Sequence, residues 1–565
     1  MTFAESKFRR FLPAATFAMV VEFLMGISDS AVAGHVLGED ALSSVNLMQP
    51  VFNVVSFFAT MVGVGASVLY STAMGRFERR RACELFTQGL WSAVGLGLVM
   101  VAALALLRTP VLSSFGASPE VVAGADAYWR WFLPSAVFEP VAVFLAQMCY
   151  NDGDGRLCIV SYIAQLVGNC VLSVPLTMFM GLSGCALGTL LGNFAAIAVL
   201  CVHFRRRGNT LSLVRHFSFA DTFRICGCSV GDACIRLCYA VLFFLLNGYV
   251  IARFGSDRLP VLASALAVIG LSEAFDGVGT AAQPLAAVYI GERNGRLTRR
   301  IMACATKYAF AEGAAMSAVL LAFPSLVVRL VGISDPEIAA EAAYAVRLVS
   351  IGLVGTSLMM LFNSYYMFLG ERALAVLLTV LSALAVPFAM YVAMGAAFGA
   401  VGVWSALGAA PYAALALTAA WIAVRRGVSR VPLLLDRAQE RNTRVFDLVL
   451  DEKSICAASE SIGKFIGVRR EAGPVKASWA ALLVEEALMI VKDRNAGRRI
   501  LAEVTVDLRD GLRLVLRDDG EIFDITDADA KVSSLRSYLV SNLMAATPAR
   551  RNMLTTGFNR NAFRL

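Results

Sequence analysis

Long apolar stretches separated by short polar loops dominate the first 430 residues of the chain. A helix needs about 20 apolar residues to cross the hydrocarbon core of a bilayer, and about a dozen segments meet this requirement. They cover residues 11–35, 45–74, 86–107, 125–150, 157–180, 183–204, 222–253, 259–290, 302–330, 340–369, 373–395 and 399–424. The pattern predicts a polytopic α-helical membrane protein with twelve transmembrane helices.

The loops between these segments alternate in charge. KFRR (7–10), GRFERRR (75–81) and GERNGRLTRR (291–300) are basic, whereas GED (38–40) and SDPE (334–337) are acidic. Loops on the cytoplasmic side of a membrane protein are enriched in Lys and Arg. We therefore expect both termini to be cytoplasmic. The net charge of +8 comes largely from such loops and does not indicate a nucleic-acid partner.

The two halves of the apolar region resemble each other at a spacing of about 215 residues. YNDGDGRLCIV (150–160) corresponds to YMFLGERALAV (366–376), and GVGASVLYSTAMGRFERR (63–80) to GVGTAAQPLAAVYIGERNGR (277–296). An even number of helices separates equivalent positions, so the halves share one orientation in the membrane. We predict an N-lobe at 1–215 with helices 1–6 and a C-lobe at 216–430 with helices 7–12, enclosing a cavity.

The sequence after Arg430 becomes charged and predicts a cytoplasmic α+β domain at 431–565. VFDLVLD (445–451) and AEVTVDLRDGLRLVLRDDG (502–520) are typical of strands, the second being a hairpin that turns at 510–511. The amphipathic patterns at 454–470 and 478–493 predict helices. Together they indicate a small α/β sandwich, called the C-terminal domain below.

Composition agrees with a membrane protein and argues against a metal site. Hydrophobic residues make up 58% of the chain and charged residues 16%, against about a quarter charged in soluble domains. The 12 cysteines and 3 histidines are mostly scattered singly, without the spacing of metal ligands. We expect buried thiols that pack as small apolar groups and no bound metal.

Acidic residues inside the apolar segments are the candidate functional residues. Asp29 ends a long apolar run, and a carboxylate near the bilayer centre costs several kcal/mol unless it faces a wet cavity or a partner. Glu22 lies seven residues earlier, on the same stripe of the helix and about 10 Å away. Glu139, Glu273 and Asp276 also lie in apolar surroundings, where substrate contact and structural pairing are both open. A place near the headgroups is the alternative for Asp29.

Several motifs together resemble the multidrug and toxic compound extrusion (MATE) family. They are DSAVAGHVLGEDAL (29–42), YNDGDGRLCIV (150–160), GNCVLSVPLTM (168–178), GLSGCALGTLLGN (181–193) and QPLAAVYIGE (283–292), in the family's order and spacing. The resemblance implies two six-helix lobes around a cleft that opens to one side at a time. It also implies a non-enzymatic antiporter in a bacterial cytoplasmic membrane that exports organic cations against inflowing sodium or protons.

The same resemblance implies roles for three residues. Asp29 falls on the first-helix acid that binds the coupling cation, and Asn169 falls on the amide that partners it. The family's second acid of this cluster is Ser173 here. Fewer anionic ligands weaken a sodium site, and burial favours the protonated form of the remaining carboxylate. We therefore favour proton coupling over sodium, with no cofactor beyond the coupling ion.

The C-terminal domain resembles the ATP-binding domain of anti-sigma-factor kinases and histidine-kinase-like ATPases. LLVEEALMIVKD (482–493) and VLRDDGEIFD (515–524) carry this resemblance. The family's magnesium-binding Asn is replaced by Ile490, or by Met489 in the alternative register, and the last glycine of its nucleotide loop is Ile522. Since magnesium needs near-ideal oxygen geometry, ATP binding is not favoured. A regulatory domain with a protein partner is the expectation.

Two other functions stay open. A lipid-linked sugar flippase of the same superfamily needs a strongly basic cavity, yet the apolar segments contain mainly Arg236 and Arg347. A membrane sensor would use the C-terminal domain to signal through a partner or, less readily, by phosphorylation. A transporter that this domain regulates combines both sets of features and is the preferred interpretation.

Overall fold

The computed structural model describes most of the chain. The described residues are 2–37, 41, 44–45, 48–114, 119–206, 209–254, 258–331, 333, 335–431, 433–435, 440, 442–468, 473–521, 536, 538, 540, 542, 549–555 and 558–565. Within these ranges the side chains of Glu22, Arg236 and Glu273 are not described, and Ile522 lies outside the ranges. The predictions for these four residues therefore lie outside the described part.

The described part of residues 2–426 is almost entirely helical. Its helices are α1 (Phe3–Leu37), α2 (Gln49–Gly75), α3 (Arg79–Ser114), α4 (Pro119–Phe132), α5 (Ser135–Asn151), α6 (Gly155–Met180), α7 (Leu182–Cys201), α8 (Phe219–Cys228), α9 (Val230–Phe254), α10 (Leu259–Leu271), α11 (Asp276–Gly291), α12 (Gly295–Ala322), α13 (Ser325–Val331), α14 (Pro336–Ile351), α15 (Leu353–Phe368), α16 (Arg372–Val380) and α17 (Val386–Arg426). Among the described residues, six helical stretches are long and apolar enough to cross a bilayer. Two bent pairs, α4 with α5 and α14 with α15, reach that length together. The chain is a polytopic helical membrane protein, and the count of twelve helices stays a prediction.

Several predicted segments are broken where the backbone requires it. Gly399 has φ +61°, a conformation that suits glycine, and divides α17 close to the predicted boundary at 395–399. The segment predicted at 302–330 is two helices, because Pro324 follows the end of α12 and cannot continue its hydrogen-bond ladder. The segment at 125–150 bends by 52° between α4 and α5, beside Pro134. The breaks near Pro324 and Pro134 correct two single spans drawn from hydropathy, whereas the kink at Gly399 agrees with a predicted boundary between two segments.

The apolar core shows how the two lobes meet. One buried cluster lies within the N-lobe and includes Val55 and Trp129, and another lies within the C-lobe and includes Val268 and Trp404. A third cluster contains residues of both lobes and of the C-terminal domain. It takes in the helix ends nearest that domain, which are the start of α1, the end of α2, the end of α11 and the start of α12. The lobes therefore share a core at these domain-side ends and have separate cores at the far ends.

Backbone contacts close the gap between the lobes on the domain side. A Cβ added to Gly75 would lie 2.5 Å from the Val288 carbonyl oxygen, and one added to Gly291 would lie 2.6 Å from the Thr72 carbonyl oxygen. Only glycine permits such an approach. The ends of α2 and α11 thus touch through their main chains, and the cleft between the lobes is shut on this side.

The C-terminal domain is a five-stranded antiparallel sheet with two helices on one face. Its strands are β1 (Thr443–Val449), β2 (Leu501–Asp507), β3 (Arg513–Asp518), β4 (Ala549–Thr555) and β5 (Phe558–Arg564), in the order β1-β2-β3-β5-β4, and its helices are α18 (Glu452–Gly467) and α19 (Gly473–Arg494). The predicted hairpin is confirmed as β2 and β3, with Gly511 at φ +95° in the turn. The two predicted helices are also confirmed.

Both faces of this sheet are covered. Successive residues of a strand point to opposite faces, so Ala502 and Val504 pack on the helices while Glu503 points the other way. That second face carries Arg517 of β3 and Arg560 of β5 and lies against the domain-side ends of the membrane helices. A polar face that would ordinarily meet water is buried here.

Candidate functional site

The Asp29 carboxylate lies in a buried pocket of hydrogen-bond donors within the N-lobe. Asp29 is 6% exposed. The Tyr128 hydroxyl donates to its Oδ2 over 2.5 Å, and the Thr189 hydroxyl donates to the same oxygen over 2.8 Å. The Asn169 amide donates to Oδ1 over 3.1 Å. Four helices, α1, α4, α6 and α7, thereby converge on one acid.

Glycines allow two of these helices to approach closely enough to build the pocket. A Cβ on Gly168 would lie 3.1 Å from the Cα of Gly192, so α6 and α7 pack almost backbone to backbone. Small residues at helix interfaces permit such packing in membranes. The approach brings the Asn169 amide within 2.8 Å of the Thr189 hydroxyl, to which it donates a hydrogen bond. The glycine spacing thus positions both donors.

The electrostatics of the pocket follow from the neutrality of these donors. Tyr128, Thr189 and Asn169 supply hydrogen bonds to the carboxylate but no compensating positive charge. Removing a charge from water is costly unless a partner of opposite sign is present. Such a carboxylate is best satisfied with a proton or a small cation bound. The pocket can therefore exchange one unit of positive charge.

Oxygen atoms around Asp29 would suit either coupling ion. The Ser28 hydroxyl donates to the Asn169 amide oxygen over 3.0 Å, which adds two more oxygen atoms beside the carboxylate. The Ser173 hydroxyl instead donates to the Cys185 carbonyl over 3.3 Å. Its position therefore adds no charge to the pocket. Among the described residues, no group of three or more His, Cys, Asp and Glu is arranged to hold a metal ion.

The structure brings Asp29 and Asn169 together, whereas Glu139 and Asp276 lie on other helices. Glu139 of α5 is half-buried and accepts a hydrogen bond from the Ser56 hydroxyl over 2.7 Å. Asp276 is half-buried and begins α11, directly after a short 3-10 turn at 272–275. The side chains of Glu22 and Glu273 lie outside the described part. The site assignment of these four acids stays a prediction.

Sequence reasoning missed a further acid within one of the predicted membrane segments. Glu312 of α12 is half-buried, and its Oε1 accepts from the Thr16 hydroxyl of α1 over 3.5 Å, across the contact between the lobes. Within the described part of the chain its Oε2 is buried without a hydrogen-bond partner. Glu312 interrupts an apolar segment, so the criterion that selected Asp29 would have found it. Tyr128 and Thr189 were also missed, and neither carries a comparable signal.

A second candidate region is a cavity inside the C-lobe. Its lining includes Tyr239 of α9, Met359 and Met360 of α15, and Pro387 of α17, with Asn363 as one of few polar groups. The Asn363 side-chain oxygen is buried without a hydrogen-bond partner in the described structure. An aromatic ring, thioethers and a free acceptor suit an apolar molecule that carries a positive charge.

Comparison with known proteins agrees with this architecture. The MatE family model matches residues 14–178. The Multidrug export protein MepA of Staphylococcus aureus (strain MSSA476) is 22% identical over 414 residues, which is 70% of this chain and 89% of that relative. A structure described as the outward-facing conformation of a multidrug resistance MATE family transporter of the MOP superfamily has a TM-score of 0.69 at 22% identity. The matched region covers 76% of this chain and 97% of the chain in that structure.

A second solved structure extends the likeness. It is a MOP superfamily transporter from Pyrococcus furiosus Vc1 (DSM3638), whose reversed binding-pocket polarity is said to suggest a different function. Its TM-score is 0.69 at 22% identity, with 76% of this chain and 96% of that chain covered. Structural likeness at this level of identity establishes the fold. With the family model matched at residues 14–178 and the curated relatives at 22% identity, it makes this chain similar to transporters of the MATE family in fold and in sequence.

Proposed function

We propose that the chain exports organic cations by alternating access, coupled to the inflow of protons or sodium ions. The multidrug export proteins among its relatives support export of drugs. The observation that carries the proposal is the buried Asp29 carboxylate, whose donors among the described residues are all neutral. A buried carboxylate in a membrane helix lowers stability, so its presence there indicates a function such as ion binding.

Protons are the preferred coupling ion. Among the described residues the pocket offers one carboxylate, because Ser173 stands where the family resemblance implies a second acid and its hydroxyl donates to the Cys185 carbonyl. A hard cation such as sodium gains most from several anionic oxygen ligands. A single buried acid with neutral donors can instead be neutralised by one proton.

Protonation would also rearrange the hydrogen bonds around Asp29. The ionised carboxylate accepts from Tyr128, Thr189 and Asn169, whereas a protonated carboxyl group must itself donate one hydrogen bond. A hydroxyl neighbour, that of Tyr128 or of Thr189, would then turn from donor to acceptor. Because these residues lie on α4 and α7, protonation of Asp29 on α1 changes hydrogen bonds on two other helices. We propose this exchange as the step that links the proton to the movement of the N-lobe.

The organic cation would bind where apolar contact and a negative potential are both available. The C-lobe cavity supplies aromatic and thioether groups and the Asn363 oxygen. Ionised Asp29 supplies the long-range attraction, which is lost when a proton arrives. Competition between the proton and the organic cation for this negative charge would make the exchange obligatory.

The shape of the molecule supports an outward-open state under the proposed orientation. The lobes touch on the domain side and have separate cores at the far ends. With twelve membrane-spanning helices and both termini in the cytoplasm of a bacterial cell, the closed side is cytoplasmic. The cleft then opens away from the cytoplasm, ready to release a substrate and accept a proton.

The C-terminal domain is proposed to be regulatory rather than an ATPase. Met489 and Ile490, at the position of the ATPase family's magnesium ligand, are 7% and 2% exposed and belong to the apolar core. Asp518 of the nucleotide-loop motif accepts bonds from the Asn559 side chain over 2.8 Å and from the Gly520 amide over 3.0 Å. Its carboxylate is thus engaged within the domain.

The flippase alternative finds no support in the described part of the chain. Arg347 is exposed on α14, and its Nε donates to the Leu321 carbonyl over 3.4 Å. A pyrophosphate carrier needs several cations that converge on one cavity. The C-lobe cavity has no Lys or Arg among its described lining residues.

Dye efflux from proteoliposomes tests the proposed function. We expect a proton gradient to drive export of ethidium by the native protein and Asp29→Asn to abolish it. Asp335→Asn is the matched control, since Asp335 caps α14 at the surface and Asn caps a helix equally well. Proton-driven export by Asp29→Asn equal to that of Asp335→Asn would remove Asp29 from coupling. A requirement for sodium instead of a proton gradient would identify the other ion.

A further inference from the structure

The C-terminal domain grips the end of the C-lobe through a buried acid. Glu292 follows the last residue of α11, and its side chain is 3% exposed. Its Oε2 pairs with Arg517, and its Oε1 pairs with Arg560 over 2.5 Å. Glu503, across from Arg517 in the sheet, accepts from the same guanidinium over 2.5 Å. Two arginines of the sheet therefore converge on one carboxylate of the membrane part.

Arg560 reaches the N-lobe at the same time. Its Nη1 donates to the Met74 carbonyl over 2.5 Å, and its Nη2 donates to the Gly75 carbonyl over 2.8 Å. These carbonyls end α2, where the last turn of a helix has unpaired acceptors and a partial negative charge. The guanidinium also lies 3.6 Å from the centre of the Phe77 ring. One side chain thus binds α2 of the N-lobe and Glu292 of the C-lobe.

Further contacts near Glu292 join the sheet of the C-terminal domain to two more helices, α1 and α12. The Phe3 amide at the start of α1 donates to Asp447 of β1 over 3.1 Å. Arg300 near the start of α12 pairs with the same carboxylate. The Phe3 ring also packs on Phe558 of β5, with the ring centres 5.2 Å apart. The sheet therefore contacts α1 and α2 of one lobe and α11 and α12 of the other.

We infer that the C-terminal domain is a clamp that holds the lobes together on its own side and so restrains the transport cycle. The inference rests on the proposed alternating-access export, in which the lobes must part on this side to admit a substrate. Parting would separate Gly75 from Gly291 and break the bonds of Arg560 to one lobe. A buried charge that loses its partner is strongly unfavourable, so opening requires the sheet to leave at least one lobe.

The clamp is built in a way that allows release. A buried ion cluster gives little net stability compared with apolar packing, because desolvation offsets the attraction. Within the described residues, Nε of Arg517, Nε of Arg560 and Oε2 of Glu503 are buried without hydrogen-bond partners. The cluster therefore specifies where the sheet docks without making the docking permanent.

Hydrogen–deuterium exchange on the full-length protein tests the clamp directly. In Arg560→Ala we expect at least tenfold faster amide exchange in peptides that contain residues 72–76 and 288–292, and export of ethidium several times faster than in the native protein. Arg564→Ala is the matched control. Arg564 lies four residues along the same strand, is exposed, and donates to the Asp510 carbonyl of its own domain over 3.2 Å. We expect the control to behave as the native protein does.

A second variant separates release of the domain from its unfolding. Glu292→Gln leaves the sequence of the C-terminal domain intact and should give the same faster exchange, while peptides from the core of α19 stay protected. If amide exchange in the peptides of residues 72–76 and 288–292 were as slow in Arg560→Ala and Glu292→Gln as in Arg564→Ala, the clamp would be overturned. Faster exchange without faster export would overturn the restraint on transport. If the native protein exports no dye, the proposed function fails, whereas the exchange result still decides the clamp.

Discussion

The packing between α6 and α7 offers a sharp test of how the Asp29 pocket is built. A Cβ added to Gly188 of α7 would lie 2.9 Å from the Cα of Ser173 on α6. Carbon atoms rest at about 3.5 to 4.0 Å from each other, so Gly188→Ala should push the helices apart by roughly 0.6 Å or more. The Ser173 hydroxyl oxygen would lie even closer, and rotation of that side chain could move it away. Rotation cannot move the Cα, so the main-chain part of the clash remains.

This displacement would reach the donors of Asp29. The bond from Asn169 to the neighbouring Thr189 is 2.8 Å long, and the same shift would lengthen it to about 3.4 Å, beyond the usual range. Overpacking costs about 1 to 3 kcal/mol and a lost hydrogen bond about 1 kcal/mol. We expect the free energy of unfolding to fall by about 2 to 4 kcal/mol and proton-driven dye efflux to fall at least tenfold.

Gly95→Ala provides the control for this substitution. A Cβ on Gly95, an exposed residue of α3, would meet no atom within 4 Å. Replacing Gly by Ala within a helix is then neutral or stabilising by up to about 1 kcal/mol. Thermal unfolding of the purified proteins and efflux from proteoliposomes measure both effects. If Gly188→Ala matched Gly95→Ala in both assays, the packing argument would be refuted.

Three further predictions concern substitutions that add or remove one acidic side chain. Ser173→Asp places a second acid beside the Asp29 network, so we expect sodium to stimulate dye export, and equal export with and without sodium would contradict this. Glu312→Gln removes the charge of a half-buried acid whose Oε2 has no hydrogen-bond partner among the described residues, so we expect the free energy of unfolding to rise by about 1 to 2 kcal/mol. A lower unfolding temperature would count against this. Burial raises the pKa of Glu503 to about 7, against the lowering effect of Arg517. A raised pKa means that the folded form binds the proton more tightly, so this contribution to stability is lost as pH rises from about 4.5 to about 7. Glu503→Gln should flatten that dependence in a pH series of thermal unfolding, and an unchanged slope would refute it.

How far the sequence predicts the site depends on what each residue reveals of its surroundings. Asp29 stands out because an acid in an apolar segment is costly wherever it lies, and the family resemblance links it to Asn169. Tyr128 shows no such signal, since its orientation depends on the bend between α4 and α5. Thr189 is likewise an ordinary polar residue until the glycines of α6 and α7 bring it close. Contacts set by tertiary packing therefore escape a reading of the sequence.

The C-terminal domain shows a different limit. Its hairpin and helices follow from local patterns, and the structure confirms them. The alternation around Glu503 and Arg517 predicts a sheet with one apolar and one polar face. The strands alternate apolar and polar residues in the same way whether the polar face of the sheet is exposed to water or buried against other charged groups. The docking of this face on Glu292 could not be predicted, because the pairing partner lies in another part of the chain.

The clamp and the Asp29 pocket would act on the same equilibrium from different parts of the molecule. Alternating access requires two states that differ by no more than a few kcal/mol, since otherwise one of them is never populated. Each 1.4 kcal/mol changes their ratio by about tenfold. A contact that stabilises one state by only about 1.4 to 2.8 kcal/mol is therefore enough to slow the cycle, and a much stronger contact would stop it. The half-satisfied ion cluster at Glu292 meets this requirement better than an apolar interface would, because it docks the sheet in one place while contributing little net free energy.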